Sequence, residues 1–437
     1  MNGVFILDTN RKQTQSIAST LTVVGSEYGN TAANSVFRQR YPEITVKMLE
    51  AYFSEDRFIQ DMISADSRVD IYSINAYDPI FRAIINKEYA YPLNDSDIIT
   101  RSIARMYPHI NKTLARGDKL LAVPYDYMVE SIGYNPSICK EIGLSPNDLP
   151  RTWIQFLEFL EKWPDAYGKD YPNITPVYYD EVKYSVFDAC VNHYIAYNDY
   201  QNNALIFDTE LFHQLMNKYK NIDFSIYASR KDISYESILF EIVTNVTFSQ
   251  IDNESFDPLL LSMGEGLPAV SISGERVYIV NPYSKNVDAA IKYLETIIEC
   301  MSEEHKINIY SDYGAPIINQ WYEYEITDAT NKLYEYQDML QDPDEQIRRN
   351  AETEIDRLMS IIDDIEKSKY KVSPEQIVSY QNIADNAGFV TYGFGSEFEM
   401  QVITDIQVQF VDGRLSVDQL IQQMDEKIRM VQIEQNG

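Results

Sequence analysis

Three short apolar runs near the start of the chain set the fold class. LTVVG (21–25), ITVKML (44–49) and VDIYSI (69–74) are rich in β-branched residues and bounded by turn residues, as buried strands are. Residues 32–40 and 58–63 between them have helical spacing, the second with Ser54 placed as an N-cap. This strand–helix–strand–helix order predicts a parallel or mixed sheet with helices on its faces and right-handed crossovers. A chain of 437 residues exceeds one ordinary core, so two or three domains are expected.

Two later stretches raise a sharper question. KLLAVPYDY (119–127) and RVYIVNPYSKN (276–286) each carry a strand pattern with a proline near one end. Pro124 cannot donate to a ladder, which predicts an edge strand, a bulge or a strand end. If both stretches connect two α/β lobes, the paired crossings form a stiff hinge that opens like a jaw. Proline fixes φ in each. The cleft between the lobes then lies at the strand ends, where small ligands bind in open α/β sheets. Tyr125, Asp126 and Tyr127 would line it, with Ser26-Glu27-Tyr28, Asn75-Ala76-Tyr77-Asp78 and Tyr178-Tyr179-Asp180. Each loop pairs an aromatic ring with a carboxylate or amide. Rings cover the C–H faces of a sugar and the polar groups meet its hydroxyl rim, with about 0.5–1.5 kcal/mol per ring by analogy with ring pairs.

Helices fill the rest. Thr152 caps a helix whose Trp153, Phe156, Leu157 and Leu160 share one face. Residues 174–179 and 240–248 read as strands. Asn286 is placed to cap a helix with an apolar stripe from Val287 to Met301. Asp342-Pro343-Asp344-Glu345 reads as a capping box with proline at the first helical position. The helix after it is amphipathic, with Glu345/Arg349 and Asp363/Lys367 at i,i+4. Ser373-Pro-Glu-Gln376 and Ser416-Val-Asp-Gln419 open two more helices in the same way.

Charge and composition exclude several functions. With 67 acidic against 37 basic residues the net charge is −30, which repels phosphate backbones and anionic lipid surfaces. Cys139, Cys190 and Cys300 are widely spaced and odd in number, so neither a disulfide framework nor a zinc pattern is read, and each is expected to be a small buried hydrophobe. The four histidines lack metal-ligand spacing. No metal and no cofactor is expected. Gly393-Phe-Gly395 lacks a third glycine, and no GxSxG is present. No run approaches the roughly 18 apolar residues of a membrane span. The opening MNGVFILDTNRKQTQS has an apolar patch ahead of its basic residues, the wrong order for a secretory leader.

LTVVGSEYGNTAANSVFRQRYPEITVKM, VDIYSI, GDKLLAVPYDY with IGYNPSICKEIGL and LPRTWIQFLEFLEKW, VNPYSKNVDAAIKYLETI, and VDGRLSVDQLIQQMDEKI occur in this order. Together they resemble the extracellular solute-binding proteins of bacterial ABC importers, specifically the carbohydrate-binding family that includes maltose-binding protein. The resemblance implies an α/β, two-lobed periplasmic-binding-protein-like fold of type II with a discontinuous chain and extra C-terminal helices. It divides the chain into an N-terminal linker or leader remnant (1–20), lobe 1 (21–124 and 276–318) and lobe 2 (125–275 and 319–437). It implies a non-catalytic monomeric receptor that is exported and lipid-anchored through a leader outside this sequence, and that hands an oligosaccharide to membrane permease subunits. Carried over onto this sequence, the ligand-binding residues are Glu27, Tyr28, Asn75, Tyr77, Tyr125 and Asp126, joined by Tyr178, Tyr392 and Phe398 from strand or helix ends. The alternatives are a peptide or other nonsugar solute, or a glycoside-processing enzyme drawing two carboxylates from Glu27, Asp78 and Asp126. An acidic scaffold binding proteins through the helical last third is a further class.

Overall fold

A computed structural model describes residues 19–25, 31–49, 55–76, 79–178, 182–228, 234–246, 256–390 and 401–436. One nine-stranded sheet runs through the molecule. Its strands are β1 (Ser19–Val24), β2 (Ile44–Leu49), β3 (Ile71–Asn75), β4 (Val123–Tyr134), β5 (Thr175–Val177), β6 (Ile238–Val246), β7 (Asp257–Leu259), β8 (Ser271–Val280) and β9 (Ala387–Phe389). The main order is β2-β1-β3-β8-β4-β6-β5, with β9 paired to β8 and β7 to β4. β1 pairs in parallel with β2 and β3, and β5 with β6, as the alternation of strands and helices predicts.

β4 and β8 are antiparallel neighbours and belong to two hydrophobic cores at once. Val123, Tyr127 and Val129 of β4, and Val277 to Val280 of β8, pack in a first core with Leu21, Ile71, Phe81, Tyr293 and Tyr380. Ile132 of β4 packs in a second core with Trp153, Phe187, Phe240 and Leu420, and Ile272 of β8 lies against it. β4 and β8, which carry the two proline-bearing stretches, therefore cross between the cores, at Val129–Ile132 and Ile272–Val277, while the stretches themselves lie on the first-core side. Pro124 is tolerated in an interior strand because the register with β8 shifts between Arg276 and Val277, opposite Asp126 and Pro124.

That bulge also corrects an expectation. The chain does not leave the sheet after Pro124: β4 continues to Tyr134. Side chains then alternate between faces. Tyr127, expected in the cleft, is instead 4% exposed, with its hydroxyl 2.7 Å from His109 Nε2 and its ring stacked on Tyr107.

Local signals fix the helix starts. Thr152 Oγ1 accepts from Gln155 N at 3.0 Å, and Trp153, Phe156, Leu157 and Leu160 are all buried. Ser373 and Gln376 form a reciprocal capping box with Pro374 in the first turn, and Ser416 and Gln419 bond in the same two directions. Ser373→Ala is expected to lower stability by about 1 kcal/mol in urea unfolding. An unchanged midpoint would show the cap to be idle. Two sequence expectations are corrected. The 345–367 helix is capped by Asp344, whose Oδ1 accepts from Gln346 N, and Pro343 precedes the cap. Asn286 makes no side-chain cap bond. Its amide donates instead to Thr20 O and to the buried Asp70, which also accepts from Thr22 N at 2.7 Å and Ser284 Oγ at 2.6 Å. A buried carboxylate left without such donors would be costly, so the amide is drawn to it.

The Tyr322–Met339 and Glu345–Lys367 helices form a hairpin packed on itself, burying only Tyr322, Ala329, Ala351 and Leu358 among its described side chains. Its expected ion pairs Glu345–Arg349 and Asp363–Lys367 are present at 2.5 Å. Cys139 and Cys190 are buried and Cys300 is partly exposed. No described helix is long and apolar enough to cross a membrane.

Candidate functional site

The even-numbered residues of the two crossing strands share one face near the bulge. Arg276 lies in register with Asn75 of β3 on one side and Asp126 of β4 on the other, making a polar row across three strands. Arg276 Nη1 is 3.8 Å from Asp126 Oδ2, and both side chains are partly open to solvent. Tyr125 is half-buried beside this row. Its ring stacks on Tyr278 at 4.3 Å between centroids and its hydroxyl is 2.7 Å from Ser73 Oγ. Burial pushes the phenol upward, so it is a neutral hydrogen-bonding group at physiological pH.

Period-two alternation carries the same face along both strands, through Met128 and Gly274 to Glu130 and Ile272. Four residues of strand span about 13 Å. At that far end Glu130 and Ile272 line a cavity of about 470 Å³. Its other walls come from Tyr178 after β5, from Glu241 to Val243 on β6, and from Ser185, Asp188, Asn192 and His193 of the Val182–Tyr200 helix. Burial pushes the Asp188 carboxyl up to about 7 and raises that of Glu130. The side-chain amide of Gln407 donates to Asp188 Oδ1. His193 is 4% exposed, and burial lowers its pKa to about 4, so the ring is neutral. Its Nδ1 lies 2.8 Å from the carbonyl of Ala189, which fixes the proton on Nδ1 and leaves a lone pair on Nε2. A larger groove of about 760 Å³ lies between the 204–208 segment and the Val417–Asn436 helix, but no residue of β4, β6 or β8 lines it.

The residues expected at the site divide into three sets. Asn75, Tyr125 and Asp126 are brought together beside Arg276. Tyr178 is 40% exposed at the mouth of the cavity, at the other end of the strip. Glu27, Tyr28, Tyr77, Tyr392 and Phe398 lie outside the described residues, as does Asp78. The sequence reading missed Glu130, Asp188, Asn192, His193 and Glu241. One signal was available: Ser185, Asp188 and Asn192 recur at i, i+3 and i+7, a polar stripe along one face of the helix. Among the described residues, no group of three or more His, Cys, Asp or Glu side chains is placed to hold a metal ion.

No family model matches the chain, and no curated protein matches it by sequence. Its fold is similar to many solved structures. The cyclic α-maltosyl-1,6-maltose binding protein from Arthrobacter globiformis is 13% identical with a TM-score of 0.56, over 96% of this chain and 99% of that one. The GacH receptor of Streptomyces glaucescens, solved without ligand and with acarbose, is 13% identical with a TM-score of 0.54, over 95% and 98%. An ABC substrate-binding protein of Listeria monocytogenes in complex with cycloalternan is 11% identical with a TM-score of 0.53, over 95% and 99%. The likeness spans nearly the whole of each chain, and the expected two-lobed α/β architecture is borne out.

Proposed function

We propose that this chain is a non-catalytic receptor that closes its two lobes over a carbohydrate and presents it to an ABC importer permease at the cell surface. The strongest support is the strip along β4 and β8. Polar and aromatic groups lie at both ends of a floor about 13 Å long, on the two strands that join the cores. An elongated ligand with many hydroxyls suits such a floor better than a compact one. Asn75 and Asp126 offer hydrogen bonds and Tyr125 and Tyr178 offer rings. The solved proteins of similar fold are receptors of the same overall plan, and the ones described bind oligosaccharides or acarbose. Export and a lipid anchor belong to the same proposal.

Closure follows from differential affinity. A ligand touching both lobes binds the closed form better, and only that difference shifts the population. A micromolar dissociation constant needs about −8.2 kcal/mol, within reach of a few stacked rings and charge-assisted hydrogen bonds. A thermal-shift screen of neutral and charged oligosaccharides should find a ligand by mass action. Small-angle scattering with that ligand should then show a smaller radius of gyration. Tight binding with unchanged scattering would remove lobe closure, and sustained turnover of the ligand would replace the receptor by an enzyme.

A further inference from the structure

β8 carries a row of polar groups into the stretch where it passes between the cores. Ser271, Ser273 and Glu275 lie at i, i+2 and i+4, so they share the face opposite Arg276. All three are buried. Neither serine hydroxyl and neither Glu275 carboxyl oxygen has a hydrogen-bond partner. Buried polar groups are nearly always paired, so three in succession on one strand call for a physical reason. Glu275 sits between Ile272, packed against the second core, and Val277, in the first.

The groups around Glu275 come from both sides of that junction. Tyr127 faces it across the β4–β8 ladder, with Tyr107 and His109 behind. Tyr380 and Asp385, on and just after the Pro374–Ala384 helix, act on the same side. β3 and β9, on the other edge of β8, bring no charged side chain. Arg82 comes from the Pro79–Asn86 helix, whose Phe81 and Ile84 belong to the first core. Asp199 comes from the Val182–Tyr200 helix, whose Phe187 and Ile195 belong to the second. Asp199 is also clasped across the junction. Lys112, on the Pro108–Leu114 helix of the first core, donates to its carboxylate at 3.0 Å and to its carbonyl at 3.1 Å, and Phe389 N donates to it at 3.1 Å.

A rotation of one lobe on the other about these strands moves Asp199 relative to Arg82. Burial and Asp199 both oppose a charge on Glu275 in this arrangement, and Arg82 only partly relieves them. An ionised Glu275 favours an arrangement that takes Asp199 farther away or admits water. The proton and the lobe position then bias each other by linkage. Using the lobe motion of the receptor reading but not its ligand, we infer that Glu275 is a proton-operated latch: protonated, it holds the lobes in this arrangement, and on losing its proton it releases them to a second one. With its carboxyl pushed up to about 8, the ratio of the second arrangement to the first rises with pH by up to about tenfold per unit, and levels off above pH 8.

Small-angle scattering of the intact chain without ligand, titrated from pH 5.5 to 9, tests this, with circular dichroism to confirm that the protein stays folded. The wild-type radius of gyration should shift with the steepness of a single proton. Glu275→Gln cannot ionise and should keep the low-pH value throughout. Glu275→Met should do the same, which covers misfolding of the first variant. A wild-type radius that ignores pH would overturn the latch. So would an equal shift in the variants, which would assign the response to surface charge. If a carbohydrate still compacts a wild type that ignores pH, the latch falls and the receptor stands. If neither pH nor any carbohydrate changes the radius, lobe motion itself falls.

Discussion

Gly388→Ala is expected to destabilise the protein by about 4 kcal/mol or more, among the largest effects a single methyl can have. β9 pairs in parallel with β8, Gly388 beside Ile272, and the Val182–Tyr200 helix passes directly over it. A Cβ built on Gly388 would lie 1.9 Å from the carbonyl oxygen of Ala196 and 2.6 Å from its carbon. Both atoms are backbone in the interior of a helix, so no rotamer change can relieve the overlap. Either the helix moves off the strand or β9 leaves the sheet. Both moves harm the lobe junction. Phe389 packs in the first core and Val390 in the second, and Phe389 N donates to Asp199, which also pairs with Lys112 at 3.0 Å. Gly264→Ala is the control, because a Cβ there meets only leucine side chains at 3.6 Å. Guanidinium unfolding followed by circular dichroism should separate the two variants widely. Equal midpoints would mean the helix and strand are not packed this closely in solution.

How much of this was legible in the sequence depends on the range of the interaction. Short-range rules held. β-branched runs gave β1, β2 and β3, and Thr152, Ser373 and Ser416 marked helix starts, because each rests on bonds within three or four residues. That Pro124 sits at a bulge was also legible, since a strand tolerates proline only at an edge, a bulge or an end. What failed depended on distant partners. Asn286 has the composition of a cap, yet a carboxylate 216 residues earlier in the chain, Asp70, claims its amide. Tyr127 looks like a cleft residue by composition, but the length of β4 decides which face it takes, and His109 waits on the buried side. The cavity was invisible for the same reason. Glu130, Asp188 and Glu241 sit on three elements, each more than 50 residues of chain from the next, and no spacing rule links them.

The pH dependence of stability should be governed at its alkaline end by one residue in the crossing strands. Glu275 lies in the middle of β8, in register with Tyr127, and is 0% exposed. Neither of its carboxyl oxygens has a hydrogen-bond partner. Burial, with Asp199 adding repulsion and Arg82 only partly opposing it, pushes its pKa up to about 8. For an acid raised in this way the folded state binds the extra proton, so this contribution to stability is complete below the ordinary value near 4.5. It is lost as pH rises through 8, by on the order of 4 kcal/mol in full. His109 and His193 act on the other limb. Both are buried and lowered to about 4, so their contribution is present above pH 6.5 and is lost as pH falls toward 4. Between the two limbs the strand shared by both lobes carries no net charge at Glu275. Relative to wild type at the same pH, Glu275→Gln should leave stability nearly unchanged at pH 4.5, raise it by about 2 kcal/mol at pH 6 and by about 4 kcal/mol at pH 9, flattening the decline in urea titrations. Parallel pH profiles for the two proteins would show that Glu275 ionises in the folded state as freely as in the unfolded chain, which would require water to reach a carboxyl that both cores enclose.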